Sequence, residues 1–419
     1  MLERARIRGF KSLGDVDVAL RPLNVLFGPN AAGKSNFIEA LLLLSRLITE
    51  RTVGDALGPP MRGYPVEAFS LPSGGLSELL GRPAVKLDIE AVLRPRVERE
   101  PKYPLLRYRV AVEMRPGSGE ARLVDEHFAR MGRNAVLESK PRVEQVDGDR
   151  LAVRRLLEQG QARHETLPLH HTVVSNLQFS GEKYPDFDRL REEVSGWRSY
   201  YLDPAGAMRT AQPPREVGDV GVNGEHLAPF LFRLKGGEGT LPAFKAAQRA
   251  LHAAIPSVTA LDVDLDPQRG TLDIRLLQNG TEFSSRVVSE GTLRVLALCA
   301  IAANPFHPSL VALEEPENGV HPRRIEVIAD LLAGIAERGT QVIVTTHSPA
   351  FVAEMLRAQR RSPNTVQLLR CANDRGATSL HSFEDPSPLF ENQKVAEALR
   401  SQDDAQQMQG MLIRGWLDD

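Results

Sequence analysis

Cysteine is almost missing from this chain: Cys299 and Cys371 are its two, in 419 residues. Two thiols exclude a disulfide framework, and no Cys/His group has the spacing of a zinc site. Cys299 sits in the apolar run Val295–Ala300 and reads as a buried free thiol, so the expected compartment is a reducing cytoplasm. A surplus of either charge is also missing. Fifty-two basic residues face 54 acidic ones, for a net charge of −2. That excludes a polycation but not a local basic groove, since field follows arrangement rather than sum. Long apolar runs are lacking too. The longest, Val295–Ala303, is far short of the roughly 20 residues a membrane span needs, and the opening Met1-Leu2-Glu3-Arg4-Ala5-Arg6 has no apolar signal core. No membrane association is expected without a partner. No internal repeat and no sustained heptad pattern occurs, which argues against a long coiled coil. What is present is ordinary: 42% apolar and 25% charged residues, in a length suited to two or three domains.

Apolar spacing predicts strands over residues 5–10, 16–20 and 23–27, then a helix from about Lys34 to Thr49 with a broad apolar face. Residues 52–80 are rich in Gly and Pro and read as a surface loop. Short alternating segments from Val85 to about His171 predict a β-rich lobe. Residues 186–250 read as more helical, broken at Pro204–Gly224, and alternation returns over Leu261–Leu277. The remainder predicts a helix from Thr292, a strand at Leu310–Leu313, a helix over Arg324–Arg338 ending at Gly339, a strand at Gln341–Thr346 and a last short helix including Lys394–Arg400.

One motif carries chemistry by itself. Gly28-Pro29-Asn30-Ala31-Ala32-Gly33-Lys34-Ser35 fits G-x-x-x-x-G-K-[ST] at every fixed position and lies between a buried strand and an amphipathic helix. Glycines let the backbone wrap phosphate oxygens without Cβ clashes, and consecutive N–H groups at a helix start form an anion nest. Lys34 supplies a charge for the β- and γ-phosphates. The Ser35 hydroxyl suits Mg²⁺, which prefers oxygen. The nucleotide-binding stretch is taken to include Asn36.

Three later segments bear on the reaction. Ser309–Leu313 is an apolar strand running into Glu314-Glu315. Two adjacent carboxylates at a strand end can divide the work, Glu314 towards magnesium and Glu315 towards the attacking water; a solvated strand end is the alternative. Gln341–Thr346 ends in His347, placed to sense a γ-phosphate if the sheet is parallel, and otherwise structural. Ser289-Glu290-Gly291 opens a helix and offers a second anion-binding turn, or a simple helix cap.

In the order phosphate loop, Ser-Glu-Gly-Thr, Glu-Glu-Pro-Glu, Thr-His-Ser, these segments resemble the head of ABC-type ATPases. They look like the bacterial stand-alone predicted ATPases related to the SMC, RecF and OLD ATPases. Ser289–Arg294 is similar to the signature motif of that group, Glu314–Pro322 to its Walker B and D-loop, Thr346–Pro349 to its switch histidine, and Ile7–Leu13 to its first strand. The resemblance implies an α/β fold: a P-loop ABC-type ATPase head with a mixed or parallel sheet, an inserted β-rich lobe and a compact helical arm. The expected divisions are 1–84 and 281–370 for the two halves of the head, 85–171 for the lobe, 172–280 for the arm and 371–419 for the tail. It also implies an ATPase using ATP and Mg²⁺, with Glu315 and His347 catalytic and with Ser289, Glu290 and Gly291 acting in trans. In such a homodimer each signature serine caps the γ-phosphate held by the other chain.

Glu314 departs from the aspartate usual at the first Walker B position; Gln178 is the best-placed candidate for the glutamine that helps hold the metal, with a structural role as the alternative. The 261 residues from Gly28 to Ser289 (289 − 28) exceed the interval in transporter subunits, and nothing in them reads as a hinged coiled coil. Only 72 residues (419 − 347) follow His347, without the Asp-x-Asp pair of a Toprim nuclease. Any nuclease or other effector is therefore expected on a separate protein. Two roles stay open: an ATPase of DNA repair or anti-phage defence, and an ATP-dependent protein scaffold without nucleic acid. Arg94, Arg96, Arg99, Arg122, Arg130, Arg133, Arg142, Arg150, Arg154 and Arg155 thread the lobe and are the candidates for a duplex groove, though acidic residues interleave them.

Overall fold

A computed structural model describes residues 1–96, 104–155 and 161–383. Arg99, the expected helix at Lys394–Arg400, Asp403-Asp404 and the apolar tail Met411–Leu417 lie outside the described residues. In chain order, β1 (Leu2–Phe10), β2 (Leu13–Ala19) and β3 (Leu23–Phe27) precede α1 (Lys34–Thr49), α2 (Val53–Leu57) and α3 (Gly75–Leu80). Six strands follow: β4 (Val85–Leu93), β5 (Leu105–Arg115), β6 (Glu120–Met131), β7 (Val143–Val146), β8 (Arg150–Val153) and β9 (Arg163–Thr166). Next come α4 (Pro185–Ser195), β10 (Trp197–Tyr200), α5 (Leu227–Gly236), α6 (Leu241–Ala254), β11 (Val258–Asp266), β12 (Thr271–Gln278) and β13 (Thr281–Ser284). The last described elements are α7 (Glu290–Ala302), β14 (Leu310–Glu314), α8 (Ile325–Glu337), β15 (Gln341–Thr346), α9 (Pro349–Arg361), β16 (Val366–Asp374) and β17 (Ala377–Phe383). Among the described residues no helix is long and apolar enough to cross a membrane.

The chain divides into two compact units, each assembled from separate stretches. The first holds Met1–Arg21, Pro29–Trp197 and Arg370–His381; the second holds Pro22–Gly28, Arg198–Leu369 and the chain from Ser382.

In the first unit, eight strands form an antiparallel sheet ordered β2-β1-β4-β5-β6-β7-β8-β9. The strands expected between 85 and 171 are thus bonded to β1 in one sheet. β1 shares their alternation: Leu2, Ala5, Ile7 and Phe10 are buried while Arg4, Arg6 and Arg8 point outward to Asp17 and Asp15. Residues 52–80 differ from the expected surface loop. They fold into α2, a short 3₁₀ turn and α3, with Val53, Ala56, Leu57, Ala68, Phe69 and Leu79 buried. Backbone bonds from Lys11 N to Ala68 O (3.0 Å) and from Ser70 N to Gly9 O (2.9 Å) tie this stretch to the end of β1. Frequent Gly and Pro break its periodicity without removing its apolar side chains from the core.

The same unit buries a carboxyl group. Glu126 accepts hydrogen bonds from the Tyr108 hydroxyl (2.9 Å), Val173 N (2.6 Å) and Val174 N (3.1 Å). Burial outweighs these donors and pushes the carboxyl up from 4.5 to about 7. The folded state therefore holds more protons than the unfolded state between these values. Stability from this group is fullest below the lower value, falls as pH rises through the window, and is lost above about 7. The wild-type advantage over Glu126→Gln should be larger at pH 5 than at pH 7.5. At low pH it should be about 1–3 kcal/mol, because a Gln amide turns an N–H towards a backbone N–H. Urea denaturation of both proteins at the two pH values checks this.

In the second unit the sheet runs β10-β14-β15-β3-β16. β14, β15 and β3 are parallel, with Leu313 opposite Val344 and Val344 opposite Val25. Their side chains are almost all buried, as expected where helices cover both faces. One core joins Val25, Val311 and Val344 to Leu296 and Leu298 of α7, Ile328 and Leu332 of α8, and Phe351 and Met355 of α9. α7 is buried nearly all round, which explains its unbroken apolar run. A smaller antiparallel sheet, β11-β12-β13, packs Leu261, Val263 and Ile274 into the same core. β16 passes at Arg370 into the first unit.

Candidate functional site

The parallel register of the second unit sets the site. Thr346 lies opposite Phe27, and Glu314 opposite Thr345. The carboxyl ends of β3, β14 and β15 are therefore level, and the residues that follow them are Gly28, Glu315 and His347. Ligands of open α/β sheets bind at such ends.

Glu315 turns the chain sharply. Its φ is +46°, a left-handed conformation unusual for a residue with a side chain. Its N–H still continues the ladder to Thr345 O (2.9 Å), and its carbonyl accepts from Asn318 N (3.1 Å) and from Arg294 Nη1 (3.2 Å). The turn presents the side chain to His347, whose Nδ1 lies 2.7 Å from Glu315 Oε1. Asn318 Nδ2 donates to the other carboxylate oxygen. Glu315 and His347 are brought together, and the partly exposed carboxylate is held from both sides, an arrangement able to accept a proton from water. Arg294 also donates to Leu202 O (3.0 Å), and its burial pulls the guanidinium below its ordinary value.

Behind Glu315, Glu317 is buried and accepts from the Thr346 hydroxyl; its Oε2 has no hydrogen-bond partner in the described structure. Burial raises this carboxyl above its usual range. Asn318, Arg294 and Glu317 belong to motifs visible in the sequence, but only the fold reveals their work. Their signal was proximity to Glu315 in the chain, or helical phase in α7, neither of which assigns a partner.

Ser289 caps α7, its Oγ accepting from Thr292 N (3.3 Å) and lying 2.8 Å from Thr292 Oγ1. Ser289 and Glu290 are exposed while Gly291 is buried. A Cβ on Gly291 would lie 2.3 Å from Gly319 O, so only glycine lets the start of α7 sit on the turn that follows Glu315.

In the first unit the phosphate loop continues from Pro29 into α1. Ala31 and Gly33 have φ of +65° and +94°, and no side chain caps the helix at Gly33. An uncapped helix start after such a curl is an anion nest, which fits a phosphate group. Lys34 is buried and its Nζ donates to Pro29 O (2.8 Å), closing the curl. The Ser35 hydroxyl in this unit and the Glu314 carboxylate in the second are each oxygen donors, the chemistry Mg²⁺ requires.

Gln178 needs correction as a metal ligand. It is exposed, its N–H bonds Asn176 Oδ1 (3.1 Å), and its stretch is held against the far end of α1, where Thr172 Oγ1 donates to Leu47 O (2.8 Å). A 16-residue helix separates the two ends by about 24 Å. The lobe arginines are largely spoken for. Arg130 lies 3.0 Å from Glu138 and Arg142 lies 2.9 Å from Asp186, both buried. Arg150 pairs with Asp147, Arg154 with Glu144, Arg94 with Glu3, and Arg122 with Glu120.

Comparison with known proteins agrees with this architecture. The structure is similar to the Smc head bound to the C-winged helix domain of ScpA, at a TM-score of 0.54 and 15% identity, covering 92% of this chain and 99% of that one. It is also similar to the Smc head domain with an extended coiled coil bound to the C-terminal domain of ScpA, from Pyrococcus furiosus. There the TM-score is 0.50 at 13% identity, covering 96% of this chain and 99% of that one. No curated protein matches the chain. The sequence profile of the family described as "AAA domain, putative AbiEii toxin, Type IV TA system" matches residues 23–125 and 180–353, which take in the phosphate loop, the signature turn, both strand-end carboxylates and His347. The chain belongs to this AAA-domain family, and its fold is that of the SMC-type ATPase head.

Proposed function

We propose that the protein binds and hydrolyses ATP with Mg²⁺ and that ATP closes two copies into a homodimer, making it a switch. The observation that carries this reading is the level row of Gly28, Glu314-Glu315 and His347 at three parallel strand ends, with Glu315 already hydrogen-bonded to His347. The loop N–H groups and Lys34 bind phosphates, and Ser35 and Glu314 hold the metal, which supplies charge neutralisation. Glu315 takes the proton of the attacking water, and His347 donates its Nδ1–H to Glu315 and orients it beside the γ-phosphate. Ser289 stands exposed at the head of α7, where it can meet phosphate held by a second copy. A dimer favoured only with triphosphate between its halves is a two-state device driven by differential affinity.

The test is solution mass by light scattering, with and without ATP and Mg²⁺, alongside phosphate release. A shift to twice the monomer mass with ATP, absent in Lys34→Ala, is the expected result. A mass indifferent to ATP defeats the reading.

The target is proposed to be a separate protein in the cytoplasm. Carboxylates neutralise six of the arginines that would line a duplex groove, and this favours the protein scaffold over a DNA-bound role in repair or anti-phage defence. The Smc heads similar in fold are themselves bound to parts of ScpA. DNA affinity that falls steeply with salt in the presence of ATP would reverse that preference.

A further inference from the structure

The outer side of the phosphate loop, within the first unit, is held by residues from both ends of the chain. Thr378 on β17 places its Oγ1 2.9 Å from Ala32 O and 2.7 Å from Ser12 Oγ, and its N–H donates to Ser12 O (2.8 Å). Ser12, in the turn between β1 and β2, lies 2.8 Å from Asn36 Nδ2. Asn373, on the same hairpin as Thr378, donates to Ala31 O (3.4 Å). Thr378 is a buried polar residue between the exposed hairpin turn and the loop.

The proton directions are settled by the acceptors. Ala32 O can only accept, so Thr378 donates its hydroxyl proton there. Ser12 must then donate to Thr378 and accept from the Asn36 amide. Each hydroxyl donates and accepts once, a closed chain from Asn36 to Ala32 whose bonds polarise one another. The contact also explains a glycine. A Cβ on Gly33 would lie 2.0 Å from Thr378 Oγ1 and 2.8 Å from Ser12 Oγ.

One consequence reaches the ligand. In a trans peptide the C=O and the next N–H point to opposite sides. Tying Ala32 O to Thr378 therefore turns the Gly33 N–H away from the hairpin, towards the inside of the curl. We infer that the β16–β17 hairpin is a brace for the phosphate loop and that Thr378 is a positioning residue for the nucleotide phosphates, aiming the Gly33 N–H through Ala32 and Ser12. This rests on the reading of residues 28–35 as the ATP site and assigns the site a control some 340 residues away in the chain (378 − 34 = 344).

Thr378→Val keeps the shape and removes the hydroxyl. It leaves the Ala32 carbonyl and the Ser12 hydroxyl without their partner. The full chain should then bind both ATP and ADP about 10-fold or more weakly by calorimetry, since a buried polar group left unpaired costs that much or more. KM for ATP should rise in parallel while kcat changes far less. Thr378→Ser restores the hydroxyl and should return affinity to near wild type. Ser12→Ala, at a half-buried position, should weaken binding in the same direction, and it serves if Thr378→Val fails to fold. Wild-type affinity in a folded Thr378→Val or Ser12→Ala variant overturns the brace. So does a loss that Thr378→Ser does not repair. If the wild type itself binds no ATP, and so behaves as Lys34→Ala does, the site reading falls and the brace with it. If wild type binds and Lys34→Ala does not, a normal Thr378→Val defeats the brace alone.

Discussion

Glu315→Gln should cut steady-state ATP hydrolysis by about 100-fold or more, the usual scale for removing a positioned general base. The substitution should also leave the protein trapped as an ATP-bound dimer. Gln keeps the length and most of the polarity of Glu, so binding should survive while proton abstraction does not. The left-handed turn at residue 315 is held by its N–H to Thr345 O and by its carbonyl to Asn318 N and Arg294 Nη1, none of which involves the Glu315 side chain. The variant should therefore unfold within a few degrees of wild type. The measurements are phosphate release and the lifetime of the ATP-dependent dimer in size-exclusion chromatography. Hydrolysis at the wild-type rate would remove Glu315 from the catalytic role. Slow hydrolysis without a persistent dimer would keep the base and remove the link between turnover and opening.

How much of this was readable in advance depends on the range of the interaction. α1 is bounded in the sequence by a glycine-lysine start and a continuous apolar face, and the helix occupies Lys34–Thr49 as expected. The apolar runs of β3, β14 and β15 are equally plain, because a strand buried on both faces carries little else. The Glu315–His347 bond joins residues 32 apart, and it follows from two such strands lying side by side. β1 pairing with β4 was not visible, since nothing in an alternating pattern names its partner across 80 residues. Nor was α9 read, although Ser348-Pro349 is a good helix start: Ser348 Oγ caps Phe351 N at 3.3 Å. The same Thr346–Pro349 stretch resembles a switch-histidine motif, and that resemblance masks the cap. Gln178 is the opposite case: a lone glutamine carries no positional signal, and the fold sends its segment to the far end of α1. Thr378 had no signal at all, because a threonine in a β-hairpin is common and its partner sits 366 residues upstream.

Gly291→Ala should abolish most ATP-induced dimerisation while sparing nucleotide binding by the single chain. On propensity alone alanine is favoured over glycine inside a helix by about 0.5–1 kcal/mol. Here the added methyl would meet Gly319 O at 2.3 Å, and a backbone carbonyl cannot swing aside as a flexible side chain can. Either α7 lifts at its start or the turn from Glu317 to Val320 moves. Both carry Ser289 away from its present place, and the second also disturbs Asn318 beneath Glu315. In the proposed dimer the signature turns of two copies must arrive together, so a displacement would count twice in its formation. An increase of about 10-fold or more in the protein concentration required for the ATP-bound dimer is the expected result, equivalent to at least 1.4 kcal/mol. Sedimentation across a concentration series measures it, and titration of a fluorescent ATP analogue into dilute protein measures the binding that should be retained. Ser289→Ala is the milder companion, losing a cap worth about 1 kcal/mol and the hydroxyl that would face the second nucleotide. If Gly291→Ala dimerises with ATP as readily as wild type, the turn at 289–291 is a helix start and no more, and the contact between copies must be sought elsewhere on the second unit.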